Sequence, residues 1–183
     1  MNALSQIVLR PARREDIPHL NLLIERSARG LSADVYTEAE IDAAIAYVFG
    51  IDTELLDDQT YFVVEVEGQY AACGGWSRRR TLFGGDQFDR RESGFLDPAS
   101  EAAKIRAFFV DPEFSRMGIG RRLLDHCEAE ARRHGFHQVE LMGTLPGVKL
   151  YQACGYEARE RVLHATPGGT SVPFVKMVRD LSN

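Results

Sequence analysis

The stretch from Ser115 to Arg121 combines two glycines with two arginines and lies between a predicted strand and a leucine-rich predicted helix. Asp111-Pro112 ends the strand, because proline has no backbone N–H to donate to a sheet. The first turn of the next helix then presents N–H groups without intrahelical partners, at the positive end of the helix dipole. Gly118 and Gly120 let the backbone approach a ligand closely. This arrangement predicts a site for a phosphate or diphosphate.

Other phosphate-binding motifs fit this stretch less well. The chain has no G-x-x-x-x-G-K-[ST] loop, and Gly118-Ile119-Gly120 is not completed by a third glycine at Leu123. The stretch also lies past the middle of the chain, where a dinucleotide-binding fold would not place its first strand–helix turn. A turn with a purely structural role is the alternative interpretation.

Two segments resemble motifs of the GNAT superfamily of N-acetyltransferases. From Val110 to Leu124 the sequence reads V-D-P-x-F-x-R-x-G-I-G-R-x-L-L, which is similar to motif A of that superfamily, usually written Q/R-x-x-G-x-G/A. Ser115 replaces the Gln or Arg of the first position, and the neighbouring Arg116 would supply the lost charge. The segment from Leu150 to Tyr156 is similar to the family's L-Y-x-x-x-G-F/Y segment, and the two motifs follow in the family's order.

The resemblance implies that acetyl-coenzyme A is a co-substrate and that the residues holding it are Phe108, Phe109, Val110, Arg116, Met117, Gly118, Ile119, Gly120 and Arg121. The last six would bind the pyrophosphate through their backbone, and the first three would pair with the pantetheine arm as an added strand does. The implied fold is α/β (α+β), a mixed, mostly antiparallel sheet flanked by helices. The strand that ends at Val110 would splay from the strand that begins at Val139, which would expose its backbone donors to the developing oxyanion.

Tyr151 and Glu140 are the candidates for proton transfer. Tyr151 occupies the position where the family often has its proton donor, and a phenol with an ordinary pKa of about 10 stays protonated at neutral pH and can assist a leaving thiolate. Glu140 lies on the strand before the Tyr151 helix, where some relatives have a glutamate that acts as general base directly or through water. Tyr151 could equally serve to pack its ring and contact coenzyme A, and strand alternation is equally compatible with Glu140 on a solvated face.

The remaining candidate residues predict little chemistry of their own. The histidines and cysteines lack the spacing of metal ligands, so we expect no metal site. No G-x-S-x-G or similar nucleophile motif is found, which favours direct attack of an amine on the thioester. We expect the cysteines to be buried as small apolar residues, and three aromatic residues either to line an acceptor pocket or to pack in the core. These residues are Cys73, Cys127 and Cys154, and Tyr36, Trp76 and Phe83.

Periodicity and turn residues predict the elements that position these groups. The first helix follows Asp16 and ends at Gly30, and the second begins with a capping box of Thr37 and Glu40 and ends at Gly50. The residues from Leu82 to Ser100 are predicted to form a long loop. The other predicted elements are strands at Ile7–Arg10, Tyr61–Val66, Tyr70–Ser77, Lys104–Val110, Val139–Met142, Tyr156–Leu163 and Val172–Val178, and helices at Leu123–Gly135 and Val148–Cys154.

Composition sets the broad class of protein. With 183 residues, a single domain over residues 1–183 is expected. A net charge of −5 with scattered basic residues argues against a nucleic-acid partner, and no apolar run is long enough to suggest a membrane partner. Met1 to Arg10 does not resemble a signal peptide, and the odd number of widely spaced cysteines favours the cytoplasm. A homodimer is compatible with the sequence, which identifies no interface.

Three functional hypotheses follow. The first is an acetyl-CoA-dependent N-acetyltransferase that acts on a small-molecule or peptide amine. The second is a module that binds coenzyme A or an acyl-CoA without catalysis, as a regulator. The third is an unrelated α+β domain in which the two glycines only make a turn. The sequence does not identify the acceptor amine, because fold resemblance alone does not determine substrate.

Overall fold

Within residues 6–182, which the computed structural model describes, the chain forms five α-helices and seven strands. Residues 1–5 of the segment considered for a signal peptide, and residue 183, lie outside this range. The helices are α1 (Ile17–Ser32), α2 (Glu38–Tyr47), α3 (Thr53–Asp57), α4 (Ile119–Arg133) and α5 (Val148–Ala153). The strands are β1 (Ile7–Pro11), β2 (Tyr61–Val66), β3 (Gln69–Ser77), β4 (Ala103–Val110), β5 (Gln138–Thr144), β6 (Glu157–Ala165) and β7 (Ser171–Asp180).

All seven strands belong to one sheet, in the order β1-β2-β3-β4-β5-β7-β6. Neighbouring strands are antiparallel except β4 and β5, which are parallel. Successive side chains of a strand point to opposite faces, so the sheet has two buried faces with a hydrophobic core on each. One core packs beneath α4 and α5, and the other beneath α1, α2 and α3. The predicted mostly antiparallel sheet flanked by helices is confirmed.

Most predicted elements are found within a few residues of their expected ends. The Thr37 capping box is present, with the Glu40 N–H donating to Thr37 Oγ1 at 3.1 Å and the Thr37 N–H donating to Glu40 Oε2 at 2.8 Å. Residues 82–100 contain no helix or strand, as predicted. The three cysteines are buried and unpaired, as predicted. The short helix α3 was not predicted, because it is only one turn long and shows no apolar periodicity.

The prediction that α1 ends at Gly30 is wrong, since the helix continues to Ser32. A Cβ atom at Gly30 would come within 2.4 Å of Pro112 Cγ. The glycine therefore allows α1 to pack closely against the segment that follows β4, and it does not end the helix. This contact places the second half of α1 beside the predicted phosphate site.

The parallel strands β4 and β5 are paired over a short distance only. Their register contains two pairs, Ala103 with Val139 and Lys104 with Glu140. Beyond these pairs β5 continues along β7 as far as Thr144, while β4 continues along β3. The predicted splaying of the two strands is therefore present, and it frees one backbone edge of β4 after Lys104.

A bulge in β4 sets the direction of its second half. Ala107 has a φ of 48°, and the pairing with β3 shifts register between Cys73 and Gly75. The Tyr61 hydroxyl donates to the Ala107 carbonyl at 2.8 Å, which helps to hold this left-handed conformation. The Phe108 ring lies over Gly74, where a Cβ atom would come within 2.4 Å of it.

None of the helices in residues 6–182 combines the length and apolar composition needed to cross a membrane.

Candidate functional site

A cavity of about 490 Å³, called here the large cleft, opens where β4 and β5 separate. Its walls come from the second half of α1, the end of β4, the loop before α4, and the segment from Thr144 to Tyr151. Two motifs that are distant in sequence, the glycine loop (Ser115–Arg121) and the Tyr151 segment, therefore face the same space.

The glycine loop ends in backbone donors that have no partner in the helix. Gly118 is the N-cap of α4, with a φ of 77° and no side-chain capping bond. The first N–H of this helix to find a backbone acceptor is that of Arg122, which donates to the Gly118 carbonyl at 3.0 Å. The N–H groups of Ile119, Gly120 and Arg121 precede it and have no acceptor within the part of the chain described here. Such a helix start favours a phosphate.

The two glycines of this loop have different structural roles. A Cβ atom at Gly118 would meet nothing within 4 Å, so glycine is favoured there by its positive φ. A Cβ atom at Gly120 would lie 3.0 Å from Leu150 Cδ2 and 3.4 Å from Val110 Cγ2. Gly120 therefore keeps the floor of the large cleft open where the helix begins.

Of the predicted cofactor residues, seven line the large cleft: Phe108, Phe109, Val110, Arg116, Gly118, Gly120 and Arg121. The other two do not present side chains to it, since Met117 is 58% exposed and Ile119 is buried in the core beneath α4. Only the backbone of these two residues could contact a ligand in the cleft. Ser115, which departs from the family motif, donates through its hydroxyl to the Pro112 carbonyl at 2.9 Å and so supports the loop itself.

Asp111 joins the glycine loop to α1. Its buried carboxylate accepts two hydrogen bonds from Arg26, at 2.8 and 3.2 Å, and one from the Glu113 N–H at 2.9 Å. Sequence analysis missed Arg26 because α1 and the loop are more than eighty residues apart. The start of the loop is thus fixed to α1 at two points, by Gly30 against Pro112 and by this ion pair.

Tyr151 lies at the inner end of the large cleft. Its side chain is buried, and its ring makes edge contacts with Phe108 and Tyr156, with centroids 6.3 and 5.7 Å apart. Burial raises the pKa of the Tyr151 phenol well above its ordinary value. Its hydroxyl forms no hydrogen bond within residues 6–182, so a protonated phenol is available to a ligand in the cleft.

A second space of about 50 Å³, called here the small cavity, lies between the separated strands. It shares Phe49, Phe108, Phe109, Thr144 and Tyr151 with the large cleft, so the two spaces adjoin. Its other walls are mostly apolar: Val48, Gly50, Phe83, Gly84, Ile105, Arg106, Ala107, Leu141, Met142 and Phe174.

Of the three aromatic candidates, only Phe83 lines either space. Tyr36 is buried outside them, where its hydroxyl donates to the Pro173 carbonyl at 2.6 Å and accepts the Leu145 N–H at 3.1 Å. Burial raises the pKa of Tyr36 to about 12. Trp76 lies in the core beneath α4.

Behind the wall of the small cavity lies the Asp52 cluster, which is formed by Asp52, Glu54, Arg91 and Arg106. Asp52 is fully buried and accepts from Arg106 at 2.6 Å and from Arg91 at 3.0 Å. Arg106 also donates to the carbonyls of Thr81 and Gly84, at 2.9 and 2.7 Å. The start of the long loop, including Phe83, is thereby fixed to β4. Desolvation lowers the pKa of Arg106.

Glu140 lines neither space. Its carboxylate forms ion pairs with Lys104 on β4 and, at 3.4 Å, with Lys176 on β7. The pair with Lys104 lies at the last register pair before β4 and β5 separate. The role of Glu140 as general base stays a prediction, and it would require water between this carboxylate and the reacting groups.

No group of histidine, cysteine, aspartate and glutamate residues within residues 6–182 is arranged to hold a metal ion.

A sequence profile of the Acetyltransferase (GNAT) family matches residues 25–156. No curated protein sequence matches the chain significantly.

Several solved structures have a similar fold. A GCN5-related N-acetyltransferase from Rhodopseudomonas palustris superposes with a TM-score of 0.72 at 17% identity, over 99% of both chains. The PaiA N-acetyltransferase from Thermoplasma acidophilum, solved in complex with coenzyme A, has a TM-score of 0.63 at 14% identity, over 96% of this chain and 99% of its own. The YncA protein from Salmonella typhimurium, solved with its cofactor acetyl-CoA, has a TM-score of 0.62 at 16% identity, over 98% of this chain and 96% of its own.

Proposed function

Because the chain belongs to the acetyltransferase (GNAT) family, we propose that it transfers the acetyl group of acetyl-CoA to a primary amine by direct attack on the thioester. The observation that carries this proposal is the continuity of the large cleft. It runs from unpartnered N–H groups at the start of α4, along the free edge of β4, to the hydroxyl of the largely buried Tyr151 side chain.

The residues of the large cleft fit acetyl-CoA in charge and in shape. The helix start and the side chains of Arg116 and Arg121 would bind the pyrophosphate. The backbone edge of β4 from Phe108 to Val110, which β5 does not pair, would hydrogen-bond the pantetheine arm as a strand does. Gly120 keeps the space between these two contacts open.

The same residues provide two parts of the proposed chemistry. Backbone N–H groups on the free edge of β4 would stabilise the negative charge that develops on the thioester oxygen. Tyr151 would donate its proton to the departing thiolate, since its raised pKa keeps the phenol protonated at neutral pH. No nucleophile of the protein is needed in this scheme, because the amine attacks the thioester carbon itself.

Glu140 is proposed as the group that finally receives the amine's proton through water. Glu140→Gln distinguishes this role from a structural one. A general base gives a fall in kcat whose size changes with pH, while the free energy of unfolding is little affected. A residue that only ties β5 to Lys104 on β4 and to Lys176 on β7 gives a loss of stability and leaves the shape of the pH profile unchanged.

Acetyl-CoA binding and thiol release test the proposal together. At 100 times its Kd, acetyl-CoA should add about 2.7 kcal/mol to the stability of the folded state, which corresponds to a rise in Tm of roughly 5–10 °C for a chain of this size. A broad panel of amines should then include at least one that releases free coenzyme A.

The three hypotheses differ in these two measurements. Binding with thiol release supports the enzyme. Binding without release from any amine would support the non-catalytic module. No change in Tm would favour the domain in which the glycines only make a turn.

A further inference from the structure

We propose that the acceptor is a weakly basic amine carried on an apolar group, and that it reaches the thioester in its neutral form. This inference rests on the proposed function, because it concerns the second substrate of the same site. The observations that carry it are the walls and charges of the small cavity.

The small cavity is the space that an attacking amine must approach. It shares Tyr151 and the Phe108–Phe109 part of β4 with the large cleft, so it adjoins the position proposed for the thioester. Its volume of about 50 Å³ is enough only for the reacting end of an acceptor. The apolar walls around it make contact with hydrocarbon favourable, because apolar surface is removed from water. These walls include Phe49, Phe83, Met142 and Phe174.

The charges around the two spaces do not suit a cation. Arg106 is the ionised side chain in the wall of the small cavity, and the large cleft adds Arg116, Arg121 and Lys149. Within residues 6–182, no aspartate, glutamate or histidine lines either space. An ammonium group placed there would lose its hydration and gain no counter-ion, which is strongly unfavourable.

The basicity of the amine therefore determines how much of it can react. An α-amino group, with a pKa of about 8, is roughly 10% neutral at pH 7, whereas a lysine-like amine, with a pKa of about 10.4, is neutral in roughly 0.04% of molecules. The difference is about 200-fold in the reactive form. An amine of low basicity needs no residue in the cavity wall to remove its proton before attack.

With a neutral amine as the acceptor, every bond and every proton of the acetyl transfer is accounted for. The nitrogen lone pair forms the N–C bond, and the C–S bond breaks as the carbonyl re-forms. The sulfur takes the proton of Tyr151 and leaves as the thiol. After the attack, the excess proton on the nitrogen passes through water to Glu140, which releases it to solvent. Tyr151 regains a proton from solvent, so the products are the amide and free coenzyme A.

Other titratable groups lie behind the walls of the small cavity, and their titration would give kcat/KM a pH dependence that does not come from the acceptor. His164 is buried against Phe83 and Phe88, with ring centroids 5.5 and 5.2 Å away, and desolvation lowers its pKa. The other members of the Asp52 cluster lie behind Arg106. Glu140 lies with Lys104 and Lys176 beside the point where β4 and β5 separate. A pH profile set by these groups would be the same for every acceptor.

Two matched pairs of acceptors test the inference with the full chain and saturating acetyl-CoA. Phenylalaninamide and phenethylamine share an aromatic group, and leucinamide and isoamylamine share an aliphatic one. In each pair the carboxamide brings the amine's pKa to about 8, while the plain alkylamine stays near 10. The measurement is kcat/KM from thiol release between pH 6 and pH 10.

We expect each carboxamide to exceed its alkylamine by at least tenfold at pH 7, because the lower nucleophilicity of the weaker base offsets part of the 200-fold difference in neutral amine. The ratio should fall steadily as the pH rises to 10, and each profile should follow the pKa of its own acceptor. The His164→Gln variant, with its fold checked by circular dichroism, should leave these midpoints unchanged.

Three results would overturn the inference. Equal kcat/KM within a pair at pH 7 would mean that the protein deprotonates the acceptor. One common midpoint for all four acceptors would mean that a group of the protein titrates. Thiol release with a polycation such as spermidine but with none of the four probes would exclude apolar acceptors and would leave the acetyltransferase proposal intact.

Discussion

The two spaces that meet at Tyr151 are built in different ways. The part of the large cleft proposed to hold the cofactor comes from one continuous stretch, Phe108 to Arg121, and includes the unpartnered backbone N–H groups at the start of α4. The small cavity is walled by side chains from segments that extend from Val48 to Phe174. A backbone surface depends on glycines and on a helix start, whereas a side-chain surface can change with every substitution. The first can therefore be shared across a family while the second differs between its members.

The contacts that hold the glycine loop in place also differ from those that hold the walls of the small cavity. The glycine loop is fixed by ion pairs of Arg26, which is more than half exposed, with Asp111 and Glu113, and by the contact of Gly30 with Pro112. The wall around Phe83 depends on the Asp52 cluster, in which Asp52 and Arg106 are almost completely buried. The small cavity, proposed as the acceptor side, is thus the part whose position depends on buried charge. Substitutions on the two sides should therefore have separable effects.

Asp52→Asn should have the largest effect, and on stability. It leaves the buried guanidinium of Arg106 without its carboxylate, and breaking a buried ion pair costs about 3–5 kcal/mol. Urea denaturation measures the loss. Asp57→Asn is the control, because its ion pair with Arg14 is exposed and should contribute less than about 1 kcal/mol. Equal losses in the two variants would show that the buried cluster has no special structural role.

Gly120→Asp should weaken acetyl-CoA binding by about 10³-fold, since a negative charge about 4 Å from the diphosphate costs roughly 4 kcal/mol at an effective dielectric constant of 20. Titration calorimetry measures the Kd, and the melting temperature without ligand shows whether the fold survives. Gln138→Glu adds the same charge beyond the other end of α4 and should change the Kd less than twofold. An unchanged Kd for Gly120→Asp would remove the diphosphate from this loop.

Tyr151→Phe should lower kcat by about 10²-fold, the lower end of the range for a positioned general acid. The Kd of acetyl-CoA should stay nearly the same, because the ring and its contacts with Phe108 and Tyr156 are retained. Steady-state kinetics with the best acceptor of the panel measures the change. An undiminished kcat would show that the hydroxyl takes no part in the chemistry.

Phe83→Ala should have the smallest effect, an increase of about tenfold in the KM for phenylalaninamide, which corresponds to about 1.4 kcal/mol of lost contact. The Kd of acetyl-CoA should not change, because Phe83 lies outside the large cleft. Phe95→Ala in the same long loop is the control, since its ring is exposed beside Arg78 and Arg79 and lines neither space. If both variants raise the KM equally, the loop acts as a whole and Phe83 is not a wall of the acceptor site.

The sequence predicts the geometry of the glycine loop better than the walls of the small cavity, for a physical reason. The glycine loop, its helix and the strand before it are adjacent in the chain, so spacing alone predicts their geometry. The Asp52 cluster joins residues that lie up to 54 positions apart, and no local pattern indicates that Arg91 and Arg106 share one carboxylate. Its pairing depends on the path of the long loop, which has no periodicity.

Glu140 and Gly30 show the same limit at single residues. The ion pair of Glu140 with Lys104 depends on the register of two strands that pair at only two positions, and alternation along one strand does not give that register. Glycine often ends helices, and on that ground the sequence predicts a helix end at Gly30. Gly30 is instead required by a proline that lies far away in sequence and close in space.

The proposed function depends most on the free N–H groups at the start of α4, which we propose bind the diphosphate of coenzyme A. The most direct test is a titration of the ¹⁵N-labelled protein with coenzyme A, followed by amide proton and nitrogen shifts. We expect the amides of Gly118, Ile119, Gly120 and Arg121 to show the largest downfield proton shifts, as hydrogen bonds to phosphate oxygens form. Saturable binding in which these four amides do not move, with the largest shifts elsewhere, would contradict this proposal.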